Sequence, residues 1–188
     1  MTLKKEIIRK AMHCSIAFVP ALANWNPYLT VILLCTGILL YLTSENARVN
    51  GYNFGFISRI TTAVSRPTET SLVWGPATLG LGALAAMFFY PGPAFVLAIY
   101  ALAFGDSAAS LVGRKWGRKN IPWPGDKTFI GSLSCFAAVW ISAYLYTKTV
   151  STALLTAALT TALELIPFKN LDNLLIPSFT GLVLHWVL

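Results

Sequence analysis

The chain has 188 residues, of which 56% are hydrophobic and only 11% charged. A soluble globular domain carries about 25% charged residues, so this composition excludes one and describes an integral membrane protein. The net charge of +7 raises nucleic acid as a partner, but the cations border apolar stretches. Membrane lipids and a nucleotide are therefore the expected partners, and no nucleic acid is.

Seven apolar stretches approach spanning length, at about 7–23, 28–44, 72–90, 93–113, 129–147, 151–166 and 173–188. Several fall short of the roughly 20 residues that a bilayer asks for, so flanking polar turns must complete them. Little remains outside them. This predicts an all-α, polytopic membrane helix bundle of about seven transmembrane helices, forming one integral-membrane domain over residues 1–188. Of the 14 Lys and Arg residues, only Lys148 falls in the loops of one side. By the positive-inside rule the N-terminus is then cytoplasmic and the C-terminus outside. The seven acids share the cytoplasmic side, where an active site would explain their clustering.

The first stretch, KKEIIRKAMHCSIAFVPALA, has the outline of a secretion signal, with a basic start, a short apolar run and Ala-x-Ala ending at Ala23. Glu6, Arg9, Lys10 and His13 intrude on that run in a way such signals avoid. They fall at helical spacing and share one face, which either snorkels at the interface or lines a site. The second stretch ends in Glu45 and Arg48, three residues apart, as in a surface pair of little energetic weight. Residues 51–70 are polar enough to leave the bilayer, with Phe54, Phe56, Ile57 and Ile60 suited to an interfacial helix and Glu69 near its exit. In the third stretch Gly75, Gly80, Gly82 and Ala86 allow close helix contact.

Residues 105–132, GDSAASLVGRKWGRKNIPWPGDKTFIGS, organise the rest. Asp106 lies roughly 10 Å inside the helix end at Gly113, at about 1.5 Å per residue. A charge at that depth costs on the order of 2.5–3.5 kcal/mol on insertion scales, which asks for a function. Asp106, Ser110, Gly113 and Gly117 are spaced by four, three and four, so they share one helical face. That face reads as a polyanion site at a membrane surface, its glycines making phosphate contacts more readily than a packing motif. Arg114, Lys115, Arg118, Lys119 and Lys127 add positive charge. Asp126 or Thr128 can cap the next helix and leave its first N–H groups for an anion. This is not a Walker A loop, because Asp126 stands where glycine must precede the lysine.

Near the end, Asp172 or Asn173 is a natural N-cap for the last helix. Asp172 is also a second carboxylate on the Asp106 side, and Mg2+ is held by one or two carboxylates plus phosphate oxygens. Left unpaired, the two acids would repel each other, so a bound cation is expected between them. Cys14, Cys35 and Cys135 each stand alone in an apolar stretch and show neither a disulfide framework nor metal spacing.

The run Asp106-x-x-Ala109-x-x-x-Gly113-Arg114-x-x-Gly117 followed by Lys127-Thr128-x-x-Gly131-Ser132 resembles the CTP-dependent membrane lipid kinases. These include dolichol, phytol and farnesol kinases and the fungal-type diacylglycerol kinase. Glu6-x-x-Arg9-Lys10-x-x-His13, Glu45-x-x-Arg48 and Leu171-Asp172-Asn173-Leu174-x-Ile176-Pro177 resemble the same family, so the likeness spans nearly the whole chain. It implies transfer of the γ-phosphate of CTP to a polyprenol, another isoprenoid alcohol or diacylglycerol. The reaction would be Mg2+-assisted, at the cytoplasmic face of a multi-pass protein of the cytoplasmic or endoplasmic reticulum membrane. The implied catalytic residues are Asp106, Asp172, Lys127 and His13, with Asp106 and Asp172 holding the metal. The nucleotide would meet Ser110, Gly113, Arg114, Lys115, Gly117, Arg118, Lys119, Lys127, Thr128, Gly131, Ser132 and Asn173. Glu6, Arg9, Lys10, Glu45, Arg48 and Glu69 would support them. CDP-diacylglycerol synthases share a similar Asp…Gly…Gly…Lys-Thr…Gly pattern and also consume CTP. This chain lacks the acidic, glycine-rich C-terminal signature expected of them, which makes a phosphatidate cytidylyltransferase the alternative and a small transporter the third reading.

Overall fold

The computed structural model describes residues 3–52, 72–122, 127–167 and 171–188. Helix α1 (Leu3–Cys14) runs through a 3₁₀ turn at Ser15–Phe18 into α2 (Val19–Trp25). Asn26 then turns extended, and its side chain accepts from the Leu29 amide at 2.9 Å. With Pro27 placed where a helix needs no N–H, this starts α3 (Pro27–Val49). Helix α4 (Gly75–Phe89) ends at a Pro-Gly-Pro turn in which Gly92 adopts φ +69°, a conformation that favours glycine. Helix α5 (Pro93–Trp116) follows, then α6 (Phe129–Thr147), α7 (Val150–Leu165) and α8 (Asp172–Val187).

Each of the seven apolar stretches thus becomes helix. Among the described residues three helices, α3, α5 and α6, are long and apolar enough to cross a membrane, while α4 and α7 are apolar but shorter. The expected interfacial helix, with Glu69, lies outside the described residues, as do Asp126 and Lys169. Helix α5 is the most enclosed of the three long helices and α3 the least. It packs on α6 along its second half, on α8 along its first, and receives α1 beside Asp106–Trp116.

Apolar side chains gain little by leaving lipid for one another, so close packing and hydrogen bonds must hold such a bundle. Small residues supply the closeness. A Cβ on Gly105 would stand 2.9 Å from Val139 and 3.2 Å from Thr160, so α5 sits against both α6 and α7 there. Gly80 lies against Ile38 of α3, and Ala86 is fully buried, as expected for a packing stretch. A Cβ on Gly82 would stand 2.1 Å from the Asn173 carbonyl oxygen of α8. Pro177 has no N–H to offer that carbonyl four residues earlier, so the α4 backbone approaches where the α8 ladder is broken.

The expectation of a surface pair at Glu45 and Arg48 is corrected. Glu45 is fully buried. It accepts from Arg48 Nε at 2.9 Å and Nη2 at 2.7 Å, and from the Val73 amide at 2.9 Å. The Tyr41 hydroxyl donates to the Val73 carbonyl at 2.6 Å. The pair therefore fastens the chain entering α4 to the end of α3. Spacing revealed the pairing, but not the Val73 amide, which sequence does not place nearby.

Candidate active site

The α5 helix is interrupted by a π turn at Ala101–Gly105, directly before Asp106. Such turns inside α-helices are frequent at functional sites because they re-aim the following residues. Here the next side chain is the buried-depth aspartate itself. Lys10, whose side chain is only 2% exposed, forms an ion pair with Asp106 Oδ2. His13 Nε2 lies 3.2 Å from the same oxygen and 2.9 Å from Asn173 Oδ1. Asn173 Nδ2 in turn donates to the Gly75 carbonyl at 2.9 Å and to Thr78 Oγ1 at 3.3 Å. One polar chain thus links α1, α5, α8 and α4.

A turn earlier on α1, Glu6 is fully buried. Its Oε1 accepts from Arg9 at 2.6 Å and from the Ser110 hydroxyl at 2.6 Å, while Arg114 Nη2 lies 3.5 Å from Oε2. Burial opposes its charge, but Arg9, Ser110 and Arg114 outweigh it and hold the Glu6 carboxyl below its ordinary range. Glu6, Lys10 and His13 are all buried, so this face of α1 turns inward and does not snorkel.

The expectation that Asp106 stands unpaired is corrected: its counter-charge comes from Lys10, 96 positions earlier. N-capping at the start of α8 is corrected as well. Leu171 occupies the cap position, and neither Asp172 nor Asn173 caps with its side chain. Asn173 is instead engaged by His13 and α4. Asp172 Oδ1 is buried without a hydrogen-bond partner. Burial first, and the Asp106 charge second, raise the Asp172 carboxyl above its ordinary range. Among the described residues no three His, Cys, Asp or Glu side chains converge as a ready-made metal cluster.

Lys127 crosses to α7 and pairs with Glu164 Oε1. Glu164 is 5% exposed, and its Oε2 is buried without a partner. Sequence reasoning left Glu164 out of the site. Its signal was the one that marked Asp106, an acid that an apolar helix does not shed into a loop.

The common ligand face expected for Asp106, Ser110, Gly113 and Gly117 is split. Asp106 and Ser110 turn to α1, whereas the glycines turn to α6. Thr128 caps α6, as expected, by accepting from the Gly131 amide at 3.2 Å. A Cβ on Gly113, Gly117 or Gly131 would stand 2.7–2.9 Å from Thr128 Oγ1. Helix packing therefore accounts for these three glycines. The strand-like bridge between Asn120 and Thr128, with Ile121 donating to the Lys127 carbonyl at 2.9 Å, folds the loop back on itself. Arg114, Lys115, Arg118 and Lys119 stay exposed at this end, Lys115 lying 4.4 Å over the Trp116 ring. The Ser132 hydroxyl is buried without a partner, and Cys135 is a buried packing residue.

Helices long and apolar enough to span a membrane surround a buried polar chain, with a cationic rim at one end. The chain is 27% identical over 147 residues to "CTP-dependent diacylglycerol kinase 1" of Schizosaccharomyces pombe, covering 76% of this chain and 67% of that protein. It is 26% identical over 149 residues to the protein of the same name from Saccharomyces cerevisiae, covering 76% of this chain and 51% of that one. The chain therefore spans about half the length of the second relative. No family model and no solved structure matches it. What the chain is similar to is thus two proteins named as CTP-dependent diacylglycerol kinases.

Proposed function

We propose that the protein phosphorylates a membrane lipid alcohol with CTP, in a bundle of seven spans whose N-terminus and active site face the cytoplasm. The carrying observation is the meeting of Lys10, Asp106, Lys127 and Glu164 near one cationic rim, in a chain whose relatives are named as CTP-dependent diacylglycerol kinases. Diacylglycerol is accordingly the first acceptor to test, with polyprenols and shorter isoprenoid alcohols beside it.

In this reaction the lipid hydroxyl oxygen attacks the γ-phosphorus and the bond to the β–γ bridging oxygen breaks. CDP leaves, and the hydroxyl proton passes to a base. Such transfer needs charge neutralisation and in-line positioning more than covalent help. Arg9 and Arg114, gathered by Glu6, stand where a phosphate can exchange for that carboxylate. Lys127 is the matching cation across the site, and Arg118, Lys115 and Lys119 draw the nucleotide to the rim. His13 is the candidate base through Nδ1, which has no hydrogen-bond partner, since Asp106 is engaged by Lys10.

The donor set fits Mg2+, a hard cation that prefers oxygen ligands. Asp172 Oδ1 is a buried acceptor with no partner, and Lys10 and His13 engage only Oδ2 of Asp106. These two residues would hold the ion, which when bound neutralises charge on the β- and γ-phosphates.

Purified protein incubated with γ-32P-CTP and each lipid alcohol should yield labelled lipid and CDP. Label only in pyrophosphate, with phosphatidate as acceptor, would make the protein a cytidylyltransferase. No CTP turnover with any lipid would leave a transporter.

A further inference from the structure

The orientation of one amide decides how the site is wired. The Gly75 carbonyl can only accept, so the Asn173 group 2.9 Å from it is the NH2. Thr78 agrees. Its hydroxyl lies 2.9 Å from the Gly75 carbonyl and 3.1 Å from that of Trp74, so it donates there and accepts from Asn173. The Asn173 oxygen must then face His13, 2.9 Å from Nε2. The second neighbour of that nitrogen, Asp106 Oδ2 at 3.2 Å, is also an acceptor. A nitrogen between two acceptors carries the proton. His13 Nδ1, by contrast, is buried with no partner, which suits a bare lone pair better than a second N–H. The groups facing the ring are Lys10 and Arg9 from α1, Asp106 from α5 and Asn173 from α8. Lys10 already meets the Asp106 charge.

We propose that Asn173 is a positioning residue that holds His13 as the Nε2–H ring. The ring N–H donates to Asn173 and stands 3.2 Å from Oδ2 of Asp106, where Lys10 also pairs, so that Oδ1 is kept as the oxygen presented to an incoming cation. This gives Asn173 a role other than phosphate contact. It resembles the outer-shell control that orients carboxylate and histidine ligands elsewhere. Only its catalytic consequence rests on the kinase reading.

The test is 15N-histidine NMR on the intact protein in nanodiscs. The chain has two histidines, and His185→Gln assigns the second. In the unsubstituted protein His13 should show a protonated Nε2 and a bare Nδ1. In Asn173→Leu the Nε2–H loses its hydrogen-bond acceptor, and its exchange with solvent should quicken about tenfold, the worth of one hydrogen bond. An Nδ1–H ring in the unsubstituted protein overturns the inference, and so does unchanged exchange in a folded Asn173→Leu. If that variant does not fold, the tautomer of the unsubstituted protein decides alone. These signals stand apart from activity. Absent lipid phosphorylation would remove the kinase reading and leave the wiring, whereas the wrong tautomer in an active enzyme would remove the wiring alone.

Discussion

Glu45 and Asp106 are both acids placed in long apolar helices, and they are satisfied in opposite ways. Glu45 closes on Arg48, three residues on, and on the Val73 amide, so its bonds among the described residues join the end of α3 to the start of α4. Asp106 draws its partners from α1, and the chain behind them runs on through α8 to α4. Among the described residues around Glu45, the one buried polar atom without a partner is a neutral hydroxyl, that of Ser44, next in the chain. Around Asp106, His13 Nδ1, Asp172 Oδ1 and Glu164 Oε2 are all buried without hydrogen bonds. Each such group costs about 1–3 kcal/mol, and native proteins keep few of them. A closed acid fastens helices. An acid surrounded by unfinished acceptors is what a ligand completes.

The largest effect should come from Asp106. Asp106→Asn should lower CTP turnover by about 100-fold or more, the loss usual for a group acting on developing charge. It also leaves Lys10 buried without its counter-charge, a loss of about 3–5 kcal/mol of stability. Adding Lys10→Met should restore most of the thermal stability and none of the turnover. Recovery of both would reduce Asp106 to a fastening acid like Glu45. Asp172→Asn should lower turnover as well, and with Asp106→Asn it should lose little beyond the worse single variant, because residues acting as a unit are not additive. Losses that multiply would assign the two acids to separate steps.

Glu45→Gln tests the other half of the comparison. It should cost about 1–3 kcal/mol by weakening hydrogen bonds to a charged partner. Turnover per folded molecule should stay within about twofold of the unsubstituted protein, since among the described residues no unfinished acceptor of a charged group adjoins Glu45. A large fall in turnover at unchanged melting temperature would carry the site across to α3.

The contrast also marks what the sequence makes legible. Helix positions followed from apolar length alone, and all seven stretches are helical. The inward face of α1 was visible in the spacing of Glu6, Arg9, Lys10 and His13, and Thr128 was visible as a cap. Contacts across the bundle were not. Nothing local ties Lys10 to Asp106, Asn173 to Gly75, or Lys127 to Glu164. Glycine was the most ambiguous letter, because an absent side chain admits a phosphate or a neighbouring helix equally. At Gly113, Gly117 and Gly131 the neighbour is Thr128. The π turn before Asp106 had no sequence signal, since its residues Ala101–Gly105 are as apolar as those preceding them.

The smallest expected effect, and the most diagnostic in sign, is at Glu164. Its carboxylate holds Lys127 from α7 and is itself almost fully buried, while the Lys127 side chain is 26% exposed. If Lys127 binds phosphate, Glu164 competes with the nucleotide for it and adds negative charge to a site that must receive a polyanion. At an effective dielectric of about 20 and a separation of about 8 Å, one unit of like charge is worth roughly 2 kcal/mol before screening. Solvent reaching Lys127 reduces that figure, so Glu164→Gln should lower the KM for CTP by about threefold to tenfold. The same substitution at Glu45 should leave KM unchanged. A structural role for Glu164 predicts the reverse, with lost stability and a KM that is unchanged or raised. Steady-state kinetics over a range of CTP concentrations, beside a thermal melt, separates the two. A raised KM would mean that Glu164 orients Lys127 for the nucleotide and does not compete for it.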